Sequence, residues 1–453
     1  REMRITETIV VRVMTYFTVA ALLLGGLGST AVYAQTTWYV DDDNCPGPKT
    51  GTQVDPYCTI QTAVDNASAG DTIMVAAGTY TEDVVIPPSL QNLTVLGANA
   101  GNPAGPAAAS GRVAESTIVG SVSVGISQGT AGVVLDGFTI QSGSASGVAV
   151  RGKGLVVRNN IVQGDNNSQR GLDFQGAGTN FVGVGASFRF ENNRVDGYKY
   201  GVVFDGNSSD FDSSGTPSIV AGNLLTDNVR GIQTFGSVHG GTIVHEITNN
   251  TVISNQRGIR LCGGQFDITA NTIKDNGEYG IEVGVSGYSL TGLQITENSI
   301  QGNAQGVIVG AGEDVNTVTI VCNDIFANAT WGVLNETGQD LDAAWNWWGA
   351  SSGPEDLQDE VGEDTEVPPC DSVGAVSMMN TDGMGDVVTG TVDYYPWLGG
   401  KWEITPPCGT PPTVGGTTTA TNPLRLLAPL AALVLAGPVG SAALVRHGLA
   451  TED

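Results

Sequence analysis

Hydrophobic and polar residues alternate in short runs along most of the chain, and between residues 137 and 348 one phrase recurs. A run of period-2 alternation ends at Asn; an aliphatic or aromatic residue stands two places on; a turn and a Gly-aliphatic pair close the phrase. The anchoring residues are Asn160, Asn193, Asn223, Asn250, Asn271, Asn298, Asn323 and Asn346, spaced by 33, 30, 27, 21, 27, 25 and 23 residues. Two positions after them come Val162, Val195, Leu225, Val252, Ile273, Ile300, Ile325 and Trp348. A second polar position, five after the anchor, holds Asn228, Asn255, Asn276, Asn303 and Asn328. Period 2 predicts strands, because successive side chains in a strand point to opposite faces. Short strands recurring at such spacings without a helical stretch predict a β-solenoid, whose units bury their inward positions only by stacking. The anchor Asn is expected to hold the left-handed conformation of a sharp bend and to bond to the Asn one coil above and below. A sandwich or propeller would show hairpin turns or blades of about 40 residues instead.

The phrase varies in one place. From each anchor to the next Gly the lengths are 11, 8, 8, 8, 9, 8 and 9, whereas from that Gly to the next anchor they are 22, 22, 19, 13, 18, 17 and 14. The variable loops therefore stack along one side, and insertions on one solenoid face commonly build the binding face. On the Gly-aliphatic strand, alternation points Leu172, Phe174, Ile259, Leu261, Ile281 and Val283 inward. It points Asp173, Val203, Gln233, Arg260, Glu282, Ile308 and Leu334 outward. Arg260 and Glu282 fall on adjacent coils, ~5 Å apart in register. An arginine beside a carboxylate can grip a uronic carboxylate or serve proton abstraction from a sugar carbon. This makes Arg260, Glu282 and Asp173 the catalytic candidates, against the plainer reading of a solvated ion pair under ~1 kcal/mol.

The residue before each Gly forms a second stripe of Arg170, Tyr200, Arg230, Arg257, Tyr279, Gln305 and Trp331. Flat guanidinium and aromatic faces repeating once per coil suit sugar stacking, with Gln233 as a neighbouring polar contact. Shielding of a turn corner is the structural alternative. Glu246 and Asp267 share the position four before successive anchors, and like charges so close want a proton or a cation. Ca²⁺ is a candidate there, at Asp41-Asp42-Asp43-Asn44, and in the acidic run Glu355 to Glu366. None has calcium-loop spacing, and no cofactor is required.

Composition narrows the partners. The chain has 453 residues, 64 Gly, 14% charged residues and a net charge of −27. That surface repels nucleic acid and anionic lipid at long range. With 3 His and 6 Cys, neither a Ser/His/Asp triad nor a zinc array has material to form. Residues 1–34 have a basic start, an apolar run from Phe17 to Gly28 and Val32-Tyr33-Ala34, the pattern of a cleaved signal peptide. Leu426 to Val445 carries no charge and matches a hydrocarbon core of ~30 Å, so residues 424–446 are read as a transmembrane anchor. Residues 409–423, rich in Pro, Gly and Thr, read as a stalk. Residues 35–110 form a cap and first coils, 111–350 the repeats, and 351–408 a closing segment. Export implies an oxidising compartment, so disulfides are expected at Cys45–Cys58 and Cys370–Cys408, with Cys262 and Cys322 as thiols.

The repeat resembles the right-handed parallel β-helix proteins of the pectate-lyase-like superfamily. Trp38-Tyr39-Val40-Asp41, Thr59 to Val64 and Ala69 to Val75 look like that family's opening segment. Asn346-Trp347-Trp348-Gly349, Gly353-Pro354 and Val392 to Leu398 look like the closing segment of its secreted members. The resemblance implies an all-β fold, a right-handed single-stranded parallel β-helix with three sheets. A short N-terminal helix with Ile60, Ala63, Val64 and Ala67 on one face would cap it, and a membrane-spanning C-terminal helix would follow. It also implies that the variable loops wall a substrate groove, although the dense carboxylate cluster of the family's hydrolases is missing. Three functions follow as expectations: an extracellular, membrane-tethered binder of polysaccharide or surface glycan; a lyase or epimerase acting on uronic polymers; or a non-catalytic stalk or adhesin.

Overall fold

Each repeat of the phrase forms one coil of three strands in the computed structural model. It describes residues 35–401 except 48, 107–110, 127–128, 144–145, 176–186, 206–215, 236–242, 285–289, 357–382 and 395–396, all within the unit Arg1–Gly409. The expected signal, stalk and membrane span lie outside the described residues, as do Cys370, Cys408 and most of the acidic run after Glu355. Among the described residues no helix is long and apolar enough to cross a membrane.

The strand before each anchor from Asn160 to Asn323 joins sheet A, 11 parallel strands from Thr37–Val40 to Val318–Val321. The short strand after the anchor joins sheet B, which runs through Leu224–Thr226, Thr251–Ile253, Thr272–Lys274 and Ser299–Gln301. The Gly-aliphatic strand joins sheet C, through Arg230–Thr234, Arg257–Leu261, Tyr279–Val283, Gln305–Val309 and Trp331–Asn335. In two coils sheets B and C share one continuous strand, Ile161–Phe174 and Arg194–Phe204. All named strand pairs are parallel, and parallel crossovers are right-handed, so the chain is a right-handed parallel β-helix.

Inward residues fill the axis. Val162, Val195, Leu225, Val252, Ile273, Ile300 and Ile325 are fully buried on sheet B, and Leu172, Phe174, Ile259, Leu261, Ile281 and Val283 on sheet C. Fully burying such a side chain contributes roughly 1.5–3 kcal/mol. The Gly before each aliphatic residue answers to close stacking rather than to an unusual dihedral. A Cβ on Gly258 would lie 2.1 Å from the carbonyl oxygen of Gly280, and one on Gly306 would lie 2.2 Å from that of Gly332.

The corners correct one expectation. The left-handed residue is the one before the anchor: Asn159, Asn192, Gly222, Asn249, Ala270, Glu297, Cys322 and Trp345 have φ between 55° and 64°. Each anchor Asn instead spends its amide on the ladder. Asn250 donates through its backbone N and Nδ2 to Asn271 Oδ1, at 2.9 and 3.0 Å, and through Nδ2 to Val220 O at 2.8 Å. The pattern continues from Asn160 to Asn346. A second ladder at Asn228, Asn255, Asn276, Asn303 and Asn328 ends on Asp386 Oδ2.

The helix Ile60–Asn66 closes the first coil with Ile60, Ala63 and Val64 buried. Glu82 accepts hydrogen bonds from the N–H groups of Ile60 and Gln61 at 2.8 and 2.9 Å, satisfying donors the first helical turn leaves open. The carboxylate of Asp42 accepts from Thr79 N at 2.7 Å, and that of Asp41 from Asp43 N at 3.0 Å, so both serve the local chain. Cys45 and Cys58 form a disulfide beside this cap. Cys262 is a buried thiol. Cys322, expected as a second thiol, is disulfide-bonded. Its φ of 61° explains the difference, since a left-handed corner turns the side chain out of the strand's alternation.

Candidate functional site

The register of sheet C aligns the outward residues. Asp173 pairs with Val203, Val203 with Gln233, Gln233 with Arg260, Arg260 with Glu282, Glu282 with Ile308, and Ile308 with Leu334. The second stripe is aligned as well, through Arg170–Tyr200, Tyr200–Arg230, Arg230–Arg257, Tyr279–Gln305 and Gln305–Trp331.

The face has two halves. Around the later coils lies an open cleft of about 400 Å³, lined by Arg257, Arg260, Glu278, Tyr279, Glu282 and Ile308 among others. Arg260 Nε stands 3.0 Å from Glu282 Oε2, with side chains 19% and 18% exposed. Its N–H does not point at the carboxylate, for Nε makes no hydrogen bond. At the lip, Arg257 pairs with Glu278, and Gln256 Nε2 donates to Glu278 Oε1 at 2.6 Å. The Arg257 hydrogen bond holds the Glu278 carboxyl below the usual carboxylate range. Tyr279 was expected at the surface, but it is 4% exposed and its hydroxyl makes no hydrogen bond of good geometry. Burial first, and then Glu282, push that phenol well above its ordinary range, so it stays protonated. The Arg257 guanidinium lies 5.9 Å from the Tyr279 ring centroid.

Around the earlier coils the same face is covered, which corrects the expectation of a solvated row. Asp173 is 1% exposed, Val203 0% and Gln233 1%. Arg170 Nη1 donates to Asp173 Oδ1 at 2.9 Å and to Asp205 Oδ2 at 2.7 Å, and Gln175 Nε2 donates to Asp173 Oδ2 at 2.7 Å. Burial still raises the Asp173 carboxyl above its ordinary value. Arg170 also lies 5.3 Å from the centroid of Phe235, Phe235 packs edge-on to Tyr200 at 5.5 Å, and Arg230 lies 5.3 Å from Tyr200. Asp173 thus stands three coils from Arg260, about 14 Å at the spacing of sheet strands, and does not join the cleft.

Sequence reasoning missed Gln175, Asp205, Phe235 and Glu278. The first three stand two residues beyond outward positions, so period 2 places them on the same face. Glu278 precedes the Tyr279 stripe position and takes part through its turn. Glu246 and Asp267 are register neighbours on sheet A, a face away from the cleft. Among the described residues no group of three or more His, Cys, Asp or Glu is placed to hold a metal ion. His245 is buried, and its Nδ1 accepts from Ser218 N at 3.1 Å; burial lowers its pKa to about 4.

A family model described as periplasmic copper-binding protein (NosD) matches residues 144–352. Curated proteins give no match. Among solved structures, the A-module of the Azotobacter vinelandii mannuronan C-5 epimerase AlgE4 is 14% identical with a TM-score of 0.46, over 79% of this chain and 98% of that one. The A-module of AlgE6 from the same organism is 16% identical with a TM-score of 0.43, over 64% and 82%. Pectate lyase Pel9A is 14% identical with a TM-score of 0.32, over 70% and 77%.

Proposed function

We propose that this chain is an exported β-helix protein, tethered by its C-terminal segment, that binds polysaccharide in the open cleft of sheet C. The periplasmic description of the matching family supports export. The observation that carries the reading is the cleft itself, where two arginine–carboxylate pairs, with the buried Tyr279 ring packed beside them, present donors and acceptors side by side across adjacent coils. Sugar hydroxyls both donate and accept, so a mosaic of paired charges recognises them better than a field of one sign. The volume falls at the small end of ligand clefts, about 300–1,000 Å³. The test is affinity electrophoresis of the purified chain in gels containing soluble polysaccharides. Arg257→Ala with Arg260→Ala should weaken retardation at least about tenfold, the loss of roughly 1.4 kcal/mol. Equal retardation of the double variant, or no retardation by any polysaccharide, would overturn the reading.

A second reading, uronate elimination or epimerisation, is favoured by the Arg260–Glu282–Tyr279 grouping. A carboxylate base and a cation beside the developing enolate are groups that reaction uses, and the buried Tyr279 ring packs beside them. Ultraviolet absorbance of an unsaturated uronate product, absent in Glu282→Gln, would support it; no product from any uronate polymer would exclude elimination.

The copper in the family's description does not fit the donors seen here. His245 is buried with Nδ1 engaged by Ser218, Cys262 Sγ accepts from Gln233 Nε2 at 3.5 Å, and the two are not part of a converging set.

A further inference from the structure

Resting on the reading that the cleft takes saccharide, the geometry points to a site for chain ends: we propose that it binds the terminus of a glycan, with the Tyr200–Phe235 stack as its end wall. The cleft crosses three successive coils, from Arg257 and Arg260 through Tyr279 and Glu282 to Gln305 and Ile308. Its long direction therefore follows the solenoid axis, and a bound chain lies across the strands. Toward the C-terminal coils the way is open, since Ile308, Leu334 and Trp331 are all partly exposed on the same face. Toward the N-terminal coils it is shut. The next outward residue after Arg260 is Gln233, 1% exposed, followed by Val203 and Asp173 at 0% and 1%.

Among the described residues, side chains close this row. Phe235 and Tyr200 pack edge to face, and Arg230 and Arg170 lie against those rings. Arg170 is fixed in turn by Asp173 and Asp205. A flexible sugar chain would have to break several of these cation–ring and ring–ring contacts to pass. The rings are consequently a wall and offer no stacking platform, because arginines of the same chain already lie against them. An internal segment of a long polymer needs free passage at both ends of a cleft; a terminus needs it at one.

The experiment measures how many copies of the full chain bind each polymer at saturation, using polygalacturonate fractionated by length, with analytical ultracentrifugation as the readout. End recognition predicts a number of copies per polymer that stays the same from the shortest retained fraction to the longest. A number rising in proportion to length would overturn the proposal while leaving saccharide binding intact. No binding at any length would overturn the saccharide-binding reading beneath it, and the proposal with it. Phe235→Ala should open the wall and turn the constant number into one that grows with length. Phe235→Tyr, which keeps the ring, should preserve the wild-type behaviour and controls for folding; a Phe235→Ala chain that folds and keeps the constant number would also count against the wall.

Discussion

At the scale of single residues, environment decides what a side chain does more than its position in the repeat. His245 lies between Phe204 and Phe266, with ring centroids 6.1 and 5.5 Å away, and its pKa falls from 6.5 to about 4 because burial penalises the cation. Its contribution to stability is complete above pH 6.5 and drains away as pH falls through that range toward 4. At ~1.36 kcal/mol per unit the loss reaches about 3 kcal/mol. Chemical denaturation of His245→Phe should lack this part of the acid destabilisation; an identical pH profile would show that other groups govern it. Tyr279 gives a second case. As a buried side chain, Tyr279→Ala should cost about 3 kcal/mol or more, whereas Tyr279→Phe should retain stability and remove only the hydroxyl. Thermal unfolding of both variants separates packing from chemistry. Ala270 gives a third, with φ at 57°, where Ala270→Gly should stabilise by about 1 kcal/mol through relief of the left-handed strain.

At the scale of elements, the two Asn ladders and the glycine column are what make coils stackable. The side chain of Asn250 receives the N–H and Nδ2 of Asn223 and satisfies Val220 O. Asn250→Leu would leave the buried Asn223 N–H without its acceptor, reduce Asn223 Nδ2 to its bond with Phe190 O and strip Val220 O of its amide donor, each loss costing about 1–3 kcal/mol. Loss of at least about 3 kcal/mol in denaturant unfolding is expected. A cost under about 1 kcal/mol would mean that the ladder is dispensable. The neighbouring Asn249, exposed at the corner, should by contrast tolerate Asn249→Gly, because its role is conformational and it contributes no rung.

At the scale of the whole molecule, a solenoid contacts only its neighbours along the axis, so its ends are where it frays. The Ile60–Asn66 helix and the Cys45–Cys58 bridge secure the first coil. Closing that loop contributes roughly 3 kcal/mol in a chain-entropy account. Reduction should raise hydrogen exchange in Thr37–Val40 and Thr72–Val75 while leaving Thr251–Ile253 protected. Uniform loss of protection would indicate that the coils unfold as one unit. The net charge of −27 adds a global effect: added salt should raise the unfolding midpoint at neutral pH by screening self-repulsion.

The sequence by itself determined the solenoid, the order of the anchored coils, and the alignment of Asp173, Gln233, Arg260 and Glu282 on one face. Those follow from periodicity, because a strand fixes side-chain direction every second residue and a repeated corner fixes the register. What it did not determine is which outward residues meet solvent. Asp173 and Arg260 occupy equivalent positions, yet one is buried under Arg170 and Gln175 and the other opens on a cleft. That difference arises from contacts between side chains on separate coils, such as Phe235 against Tyr200, whose partners are 35 residues apart in the chain. It also hid the left-handed role of the residue before each anchor, since Ala270, Glu297 and Trp345 carry no signature of that conformation. Periodicity reports direction along a strand; exposure depends on what the rest of the fold brings over it.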